Sequence, residues 1–385
     1  MKIGVIGYGL RGSVAREVHG TDVAEVVALW DPSSRAQKDA AEAFPEADLT
    51  DSLGELIALD LDAVLVLTPD ETHATVAIPV LKAGIPVFCE KPLATSLEDT
   101  DAILQAAFES GTRLYVGHNM RHMPVVTLMK NLIDQGTIGE VKAVWCRHFV
   151  GHGGDYYFKD WHADRSKSVG LLLQKGAHDI DVIHWLAGQY TERVQAIGSL
   201  SIYGDIQDRK DRTGERMMDW FSLDNWPPTD LKGLNPIVDV EDISQLNMVL
   251  GGGVLASYEQ CHFTPDYWRN YTVIGTKGRL ENFGDEEGAH VGVWNKRHAG
   301  YSEPDEVHVV PAATGGHGGA DSAMVAEFLR FVKEGGPTST SPIAARNSVA
   351  TGLAATASLR GDGCLLPVPP LEKELQAYFD RTQVR

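Results

Sequence analysis

The chain has little cysteine: Cys89, Cys146, Cys261 and Cys364 lie far apart among 385 residues, with no Cys-x-x-Cys spacing. That scarcity excludes a disulfide framework and a cysteine-rich zinc site, and the thiols read as reduced, mostly buried side chains of a cytoplasmic protein. Long apolar runs are missing too; none approaches the roughly 18 residues that signal a membrane-spanning helix. Met1-Lys2-Ile3-Gly4-Val5-Ile6-Gly7 leads directly into a strand, without a secretory apolar region or small-residue cleavage site. Basic charge is scarce, 34 Lys and Arg against 53 Asp and Glu, a net charge of −19. Such a field repels phosphate backbones and anionic lipids, so neither nucleic acid nor a membrane is an expected partner. The 14 histidines include no close helical pair with a third ligand, so no metal is expected. Internal repeats and low-complexity tracts are absent.

What is present is an ordinary globular composition, 43% hydrophobic and 23% charged, on a chain long enough to divide into two domains. Residues 2–118 alternate short apolar runs with helical patterns, the signature of a parallel sheet covered on both faces. Strands are expected at Lys2–Gly7, Val26–Asp31, Ala63–Thr68, Pro86–Glu90 and Arg113–Gly117, with helices at Thr72–Ala83 and Ser96–Ser110. Ser96 precedes Glu98-Asp99, a cap followed by acid in the first turn, and Gly111 ends that helix. Beyond about residue 120 a helix over Pro124–Gln135 leads into consecutive strands (Glu140–Phe149, Ile237–Leu250, Gly253–Cys261). Helices on one face of a mostly antiparallel sheet are therefore expected there. The fold class is α/β with a doubly wound domain at 1–120 and an α+β domain at 121–385. Residues 203–236, rich in charge, read as an insertion over the sheet, either a lid or a partner contact. Ser341-Pro342 caps and opens a helix to about Arg360, which is expected to return toward the first domain.

The first strand enters Gly7-Tyr8-Gly9-Leu10-Arg11-Gly12. In such a turn Gly7 permits the bend, Gly9 admits a pyrophosphate to the backbone amides, and Gly12 lets helix and strand approach. The second strand ends at Asp31, close to the roughly 20-residue spacing of an acid that accepts from a ribose diol. A carboxylate there repels a 2′-phosphate, so NAD is favoured over NADP, with Arg35 as the residue that would serve a phosphate instead.

Gly7-Tyr8-Gly9-Leu10-Arg11-Gly12, Thr68-Pro69-x-x-x-His73, Glu90-Lys91-Pro92 and Gly139-Glu140-Val141 occur in the order found in the Gfo/Idh/MocA oxidoreductases, which the chain resembles over essentially its whole length. The resemblance implies a Rossmann domain and a second domain whose open sheet binds a sugar-like substrate on one side and builds a homodimer or homotetramer on the other. It implies a cofactor site from the glycine turn, Asp31, Thr68, Pro69, His73, Glu90, Lys91 and Asn119. Independently, Lys91 lies at the carboxyl edge of a parallel sheet, where its ammonium can stabilise a developing oxyanion. The competing reading is a surface lysine paired with Glu90. Lys91–Pro92 is expected to be cis.

The second chemical cluster runs from Gly170 to Asp181. Relatives commonly carry an aspartate four residues before a histidine; here the histidine is His178 but Gln174 holds the aspartate's place, so the Asp–His pair is not carried over. His178 is assigned as general acid/base, with Gln174 and Lys175 lining the site. The alternatives are His178 against Asp181 and Lys175 against Asp179. Trp161 and His162, from the aromatic stretch Tyr156–His162, join His262 and His317 as substrate-pocket candidates, although core packing explains the aromatics equally well. Arg121 is either near the nicotinamide or in an interface ion pair. The leading function is NAD-dependent oxidation of a secondary hydroxyl on a sugar, cyclitol or polyol. The rivals are a glycosidase that oxidises transiently and eliminates, and a non-catalytic NAD-binding sensor.

Overall fold

The computed structural model describes residues 1–313 and 318–384, which fall into two compact units. The first joins three segments, residues 1–122, 315–349 and 371–385; the second holds 123–314 and 350–370. In the first, β1 (Lys2–Ile6), α1 (Gly12–His19), β2 (Glu25–Trp30), α2 (Ser34–Ala43), β3 (Asp48–Leu49), α3 (Leu53–Ile57), β4 (Ala63–Val66), α4 (His73–Lys82), β5 (Val87–Cys89), α5 (Leu97–Ser110) and β6 (Leu114–Val116) follow the expected alternation. The strands are all parallel, in the order β3-β2-β1-β4-β5-β6. The order reverses between β1 and β4, and ligands of open parallel sheets bind beyond the carboxyl ends of the strands at such a switch point. Ser96 Oγ accepts from Asp99 N (3.0 Å), and Gly111, at φ 69°, ends α5 as the cap and glycine signals predict.

The second unit carries α6 (Pro124–Asp134), β7 (Val141–Val150), α7 (Arg165–Ser168), α8 (Leu171–Gln174), α9 (Gly176–Ala187), β8 (Thr191–Ser199), β9 (Ile243–Leu250), β10 (Leu255–Cys261), β11 (Tyr267–Gly275), β12 (Gly278–Phe283), β13 (His290–Trp294) and β14 (Glu306–Val309). The chain then adds α10 (Ala320–Glu334) to the first unit, α11 (Pro342–Arg360), β15 (Leu366–Pro367) back in the second sheet, and α12 (Lys373–Asp380) in the first unit. The second sheet runs β14-β13-β12-β11-β7-β10-β9-β8-β15 and is antiparallel except for the pair β7–β10. Strand β9 begins at Ile243, six residues after the expected start, because Asp242 turns its carboxylate to the backbone N–H groups of Ser201, Ile202 and Tyr203 (2.7–3.0 Å). The 203–236 stretch packs Tyr203, Leu231 and Leu234 against Val150, Tyr157 and Phe158 of its own unit.

Helix α9 lies over β7 and β10, and its buried Ile180, Val182, Ile183 and Leu186 are each worth about 1.5–3 kcal/mol of apolar burial. Beneath it the sheet face changes character rung by rung. Val144, Ala256 and Val273 form an apolar row, Cys146, Tyr258 and Tyr271 a mixed one, and His148, Gln260 and Arg269 a polar one, all buried. Among the described residues no helix is long and apolar enough to cross a membrane.

Candidate active site

In the first unit the chemistry gathers where β1, β4, β5 and β6 end. Gly7 has φ 86°, and a Cβ there would sit 2.9 Å from Thr68 N, so only glycine makes this turn. Beyond its chain neighbours, no described atom lies within 4 Å of a Cβ built on Gly9, so the turn is open on that side. Gly12 is needed for a different reason from the one expected: a Cβ there would meet the Tyr8 ring at 2.8 Å, not a strand. Tyr8 is buried, its hydroxyl accepting from Arg16 at 2.7 Å and its ring packed edge-on to Phe44 and against Gly12. Leu10 is exposed. Asp31 fixes the loop, its carboxylate accepting from Tyr8 N (2.8 Å) and Ser33 N (2.7 Å). The glycine turn and this acid together fit a dinucleotide.

Behind the turn, Arg11 donates to Glu90 at 2.7 Å and to Asp321 at 3.3 Å, and Asn119 Nδ2 donates to the same Asp321 at 2.9 Å. Two carboxylates hold the Arg11 pKa above its ordinary value even though burial opposes it. Glu90 is buried and also accepts from the backbone N–H of Lys91 (3.0 Å), so it braces the loop. Arg121 donates to the Ser339 carbonyl (2.7 Å), within the same unit. The Lys91–Pro92 peptide is cis, as the sequence suggested.

His73 is fully buried, with Nδ1 2.8 Å from Pro92 O and Nε2 3.0 Å from Thr68 O. Carbonyls only accept, so both nitrogens must carry protons and the ring is an imidazolium. Burial alone would lower its pKa; the Cys89 side chain, Asp70 and the Pro92 carbonyl outweigh that and raise it to about 10. Asp70, on the turn after Pro69, is buried, and its Oδ2 lacks a partner among the described residues. Burial raises its pKa to about 6 against the opposing pull of Lys91 and His73. Lys91 thus sits beside a carboxyl poised near neutrality, a partner the sequence reading missed. Asp321 was missed as well, because it joins Asn119 across 202 residues.

In the second unit Tyr157 is the hub that brings the expected residues together. His162 and His262 meet its ring edge-on at 5.3 and 5.1 Å, and Lys175 Nζ stands 5.7 Å from its centroid. Trp161 stacks on His162 at 3.9 Å. Gln174 is buried at the end of α8 and His178 is half-buried in the first turn of α9. His317 lies outside the described residues. Asp179, which the sequence offered only as a partner for Lys175, turns to the sheet. It accepts from Tyr271 Oη (2.5 Å), Arg269 Nε (3.1 Å), Tyr258 Oη (3.0 Å) and His148 Nδ1 (3.0 Å). Burial alone would raise its pKa, yet Arg269 and His148 keep it well below the usual carboxylate range. One signal was available: position 179 lies on the apolar stripe of 182, 183 and 186, where a charge needs buried partners.

Two family models match this chain: "Oxidoreductase family, NAD-binding Rossmann fold" over residues 1–118, and "Oxidoreductase family, C-terminal alpha/beta domain" over residues 130–368. A protein of Bacillus subtilis (strain 168) named only provisionally as an oxidoreductase, YteT, is 25% identical over 352 residues, covering 79% of this chain and 82% of YteT. Inositol 2-dehydrogenase 2 of Saccharopolyspora erythraea is 36% identical over 193 residues, 49% of this chain and 54% of the relative. The chain thus matches about half the length of that relative. Levoglucosan dehydrogenase, solved with NADH and L-sorbose, shares the fold with a TM-score of 0.78 at 20% identity, over 96% of this chain and 99% of that one.

Proposed function

Since the chain belongs to the Gfo/Idh/MocA oxidoreductase family, we propose that it is an NAD-dependent dehydrogenase acting on a secondary hydroxyl of a polyol, cyclitol or sugar. The observation that carries the reading is Lys91, placed at the carboxyl end of β5 beside buried Asp70, in the unit whose glycine turn is fixed by Asp31. The dinucleotide, when bound, supplies the hydride acceptor. Lys91 orients the substrate oxygen and stabilises the negative charge that grows on it as the proton leaves. His73 ties the loops after β4 and β5 to one ring and so keeps Lys91 in register. His178 takes the hydroxyl proton at an imidazole nitrogen. Lys175, Trp161, His162 and His262 line the substrate side, where aromatic faces suit sugar rings and polar tips suit hydroxyls. Asp31 favours NAD over NADP. The four cysteines are all free, which suits the reducing cytoplasm where we place the enzyme. Trp145, Ile197 and Leu255, exposed on the sheet face away from α9, support pairing of that face in a homodimer or homotetramer.

The test is a panel of myo-inositol, scyllo-inositol, levoglucosan, L-sorbose and D-glucose with NAD and NADP, followed by absorbance of the reduced nicotinamide. Lys91→Ala is expected to lower turnover about 10²–10³-fold while NADH binding, read by fluorescence, stays near wild type. Unchanged turnover in that variant removes Lys91 from the mechanism. Aglycone release from a glycoside without accumulating NADH would move the assignment to the glycosidase reading.

A further inference from the structure

The polar rung of the second sheet does more than neutralise Asp179. His148 is fully buried in the middle of β7, with Nδ1 3.0 Å from Asp179 Oδ2 and 3.3 Å from Tyr258 Oη. Asp179 already receives the Arg269 guanidinium and two tyrosine hydroxyls, and it is ionised. A carboxylate only accepts, so the proton of a neutral His148 sits on Nδ1. Nε2, on the far edge of the ring from Asp179, is then a bare lone pair. Among the described residues no protein group is within hydrogen-bonding distance of that nitrogen, and the same holds for both ring nitrogens of His262, which is also fully buried. Burial and the Arg269 charge pull the His148 pKa down to about 3, and burial, His148 and Lys175 push His262 well below its ordinary value. Neither ring becomes a cation to satisfy itself. A buried polar atom without a partner is costly, and here three such atoms lie on neighbouring chain segments, since His262 stands two residues beyond Gln260, the rung partner of His148.

We propose that His148, locked by Asp179 as a hydrogen-bond acceptor, and His262 beside it form a subsite that recognises a hydroxyl of the polyol other than the one oxidised. The proposal rests on the dehydrogenase reading for its ligand class but not for its test. His148 acts as a specificity-determining residue: a hydroxyl donates to Nε2, whereas a deoxy position leaves the nitrogen unpaired and a methyl ether sets acceptor against acceptor. Sites of this kind discriminate strongly, because the rejected analogue leaves buried protein atoms without partners. With a pKa of about 3 His148 is a poor proton acceptor for the chemistry itself, which separates its role from that assigned to His178.

The decisive variant is His148→Asn. Its amide nitrogen occupies the place of Nδ1 and keeps the donation to Asp179, while the acceptor at Nε2 disappears. Binding of myo-inositol, scyllo-inositol, D-glucose and levoglucosan to the intact protein with NADH present is measured by calorimetry. The tightest ligand is then compared with its monodeoxy and mono-O-methyl derivatives. The expected result is that one position of the wild-type ligand loses about 10–100-fold in affinity on deoxygenation or methylation. His148→Asn loses a similar factor for the parent and no longer distinguishes it from that deoxy derivative. Equal affinity in wild type and variant, with discrimination kept, overturns the subsite, as does failure of the wild type to bind any of the four polyols. Binding without NADH formation from NAD leaves the subsite standing and removes the dehydrogenase reading. Should His148→Asn not fold, ¹⁵N spectra of the wild-type imidazoles decide the matter. An unprotonated Nε2 whose resonance moves when the tightest polyol is added supports the subsite; a protonated or unmoved Nε2 overturns it.

Discussion

Replacing Asp70 with asparagine should make the protein more stable and less active. The carboxyl is buried, Oδ2 lacks a partner among the described residues, and its pKa is raised by burial from the ordinary 3.8 to about 6. The native state therefore holds this proton more tightly than the unfolded chain does. Between about pH 4 and 6 folding takes up a proton, so this group's contribution to stability falls as pH rises through that window and stays low above it. A rise from 3.8 to about 6 corresponds to about 3 kcal/mol against the ionised form. The amide introduced by Asp70→Asn is neutral at every pH, so the variant should recover much of that, about 1–3 kcal/mol at pH 8 and about a third as much at pH 4.5. Urea midpoints of the ligand-free protein, followed by far-ultraviolet circular dichroism at both pH values, measure the difference directly. Turnover should fall, because Lys91 loses its neighbouring carboxylate; stability given up at a working site is a familiar exchange. A variant no more stable than wild type at pH 8, or one with the same gain at both pH values, refutes the argument.

His73 titrates in the opposite sense. Its pKa is raised to about 10, so its contribution is complete below about pH 6.5 and is lost as pH rises toward 10. His73→Leu, which strips the donors from two buried carbonyls, should destabilise by about 2–4 kcal/mol at pH 6 and by much less at pH 10, as thermal midpoints at the two pH values will show. Asp179→Asn takes the nearer counter-charge from the buried Arg269 guanidinium and leaves it only Asp285 at 4.0 Å, and a loss of about 3–5 kcal/mol is expected in denaturant titrations at pH 7. A loss below about 1 kcal/mol would mean that Asp285 and the tyrosines hold Arg269 without the Asp179 charge.

The first unit was legible because its signals are local. Strand lengths, Ser96 and Gly111 at the ends of α5, and the glycine turn all operate within a few residues. The five strands and two helices expected there form within two or three residues of their places, whereas the two-residue edge strand β3 carries too little pattern to be seen. The open sheet was legible only in class. The parallel β7–β10 pair brings Val144 against Ala256, and no period in the sequence records a match over that distance. The residues of the candidate site divided the same way. Lys91 and His178 stand in motifs, whereas Asp321, Arg269 and His148 gain meaning from partners on remote segments. Asp70 and Asp179 gave partial signals, one inside the Thr68–His73 motif and the other on an apolar helix face, but only burial shows what each charge costs.

The threefold origin of the first unit constrains the protein's birth. Met324, Val325, Phe328 and Phe331 of α10 belong to the same apolar cluster as Ile3, Val14 and Phe88. A nascent chain that has emerged only as far as residue 122 therefore exposes the surface those side chains will cover. At synthesis rates of about 5–20 residues per second that surface waits roughly ten to forty seconds for α10, while every strand of the second sheet but β15 is made. An amino-terminal half alone is thus an incomplete globule, and the dinucleotide turn it carries becomes a secure platform only once translation is nearly finished.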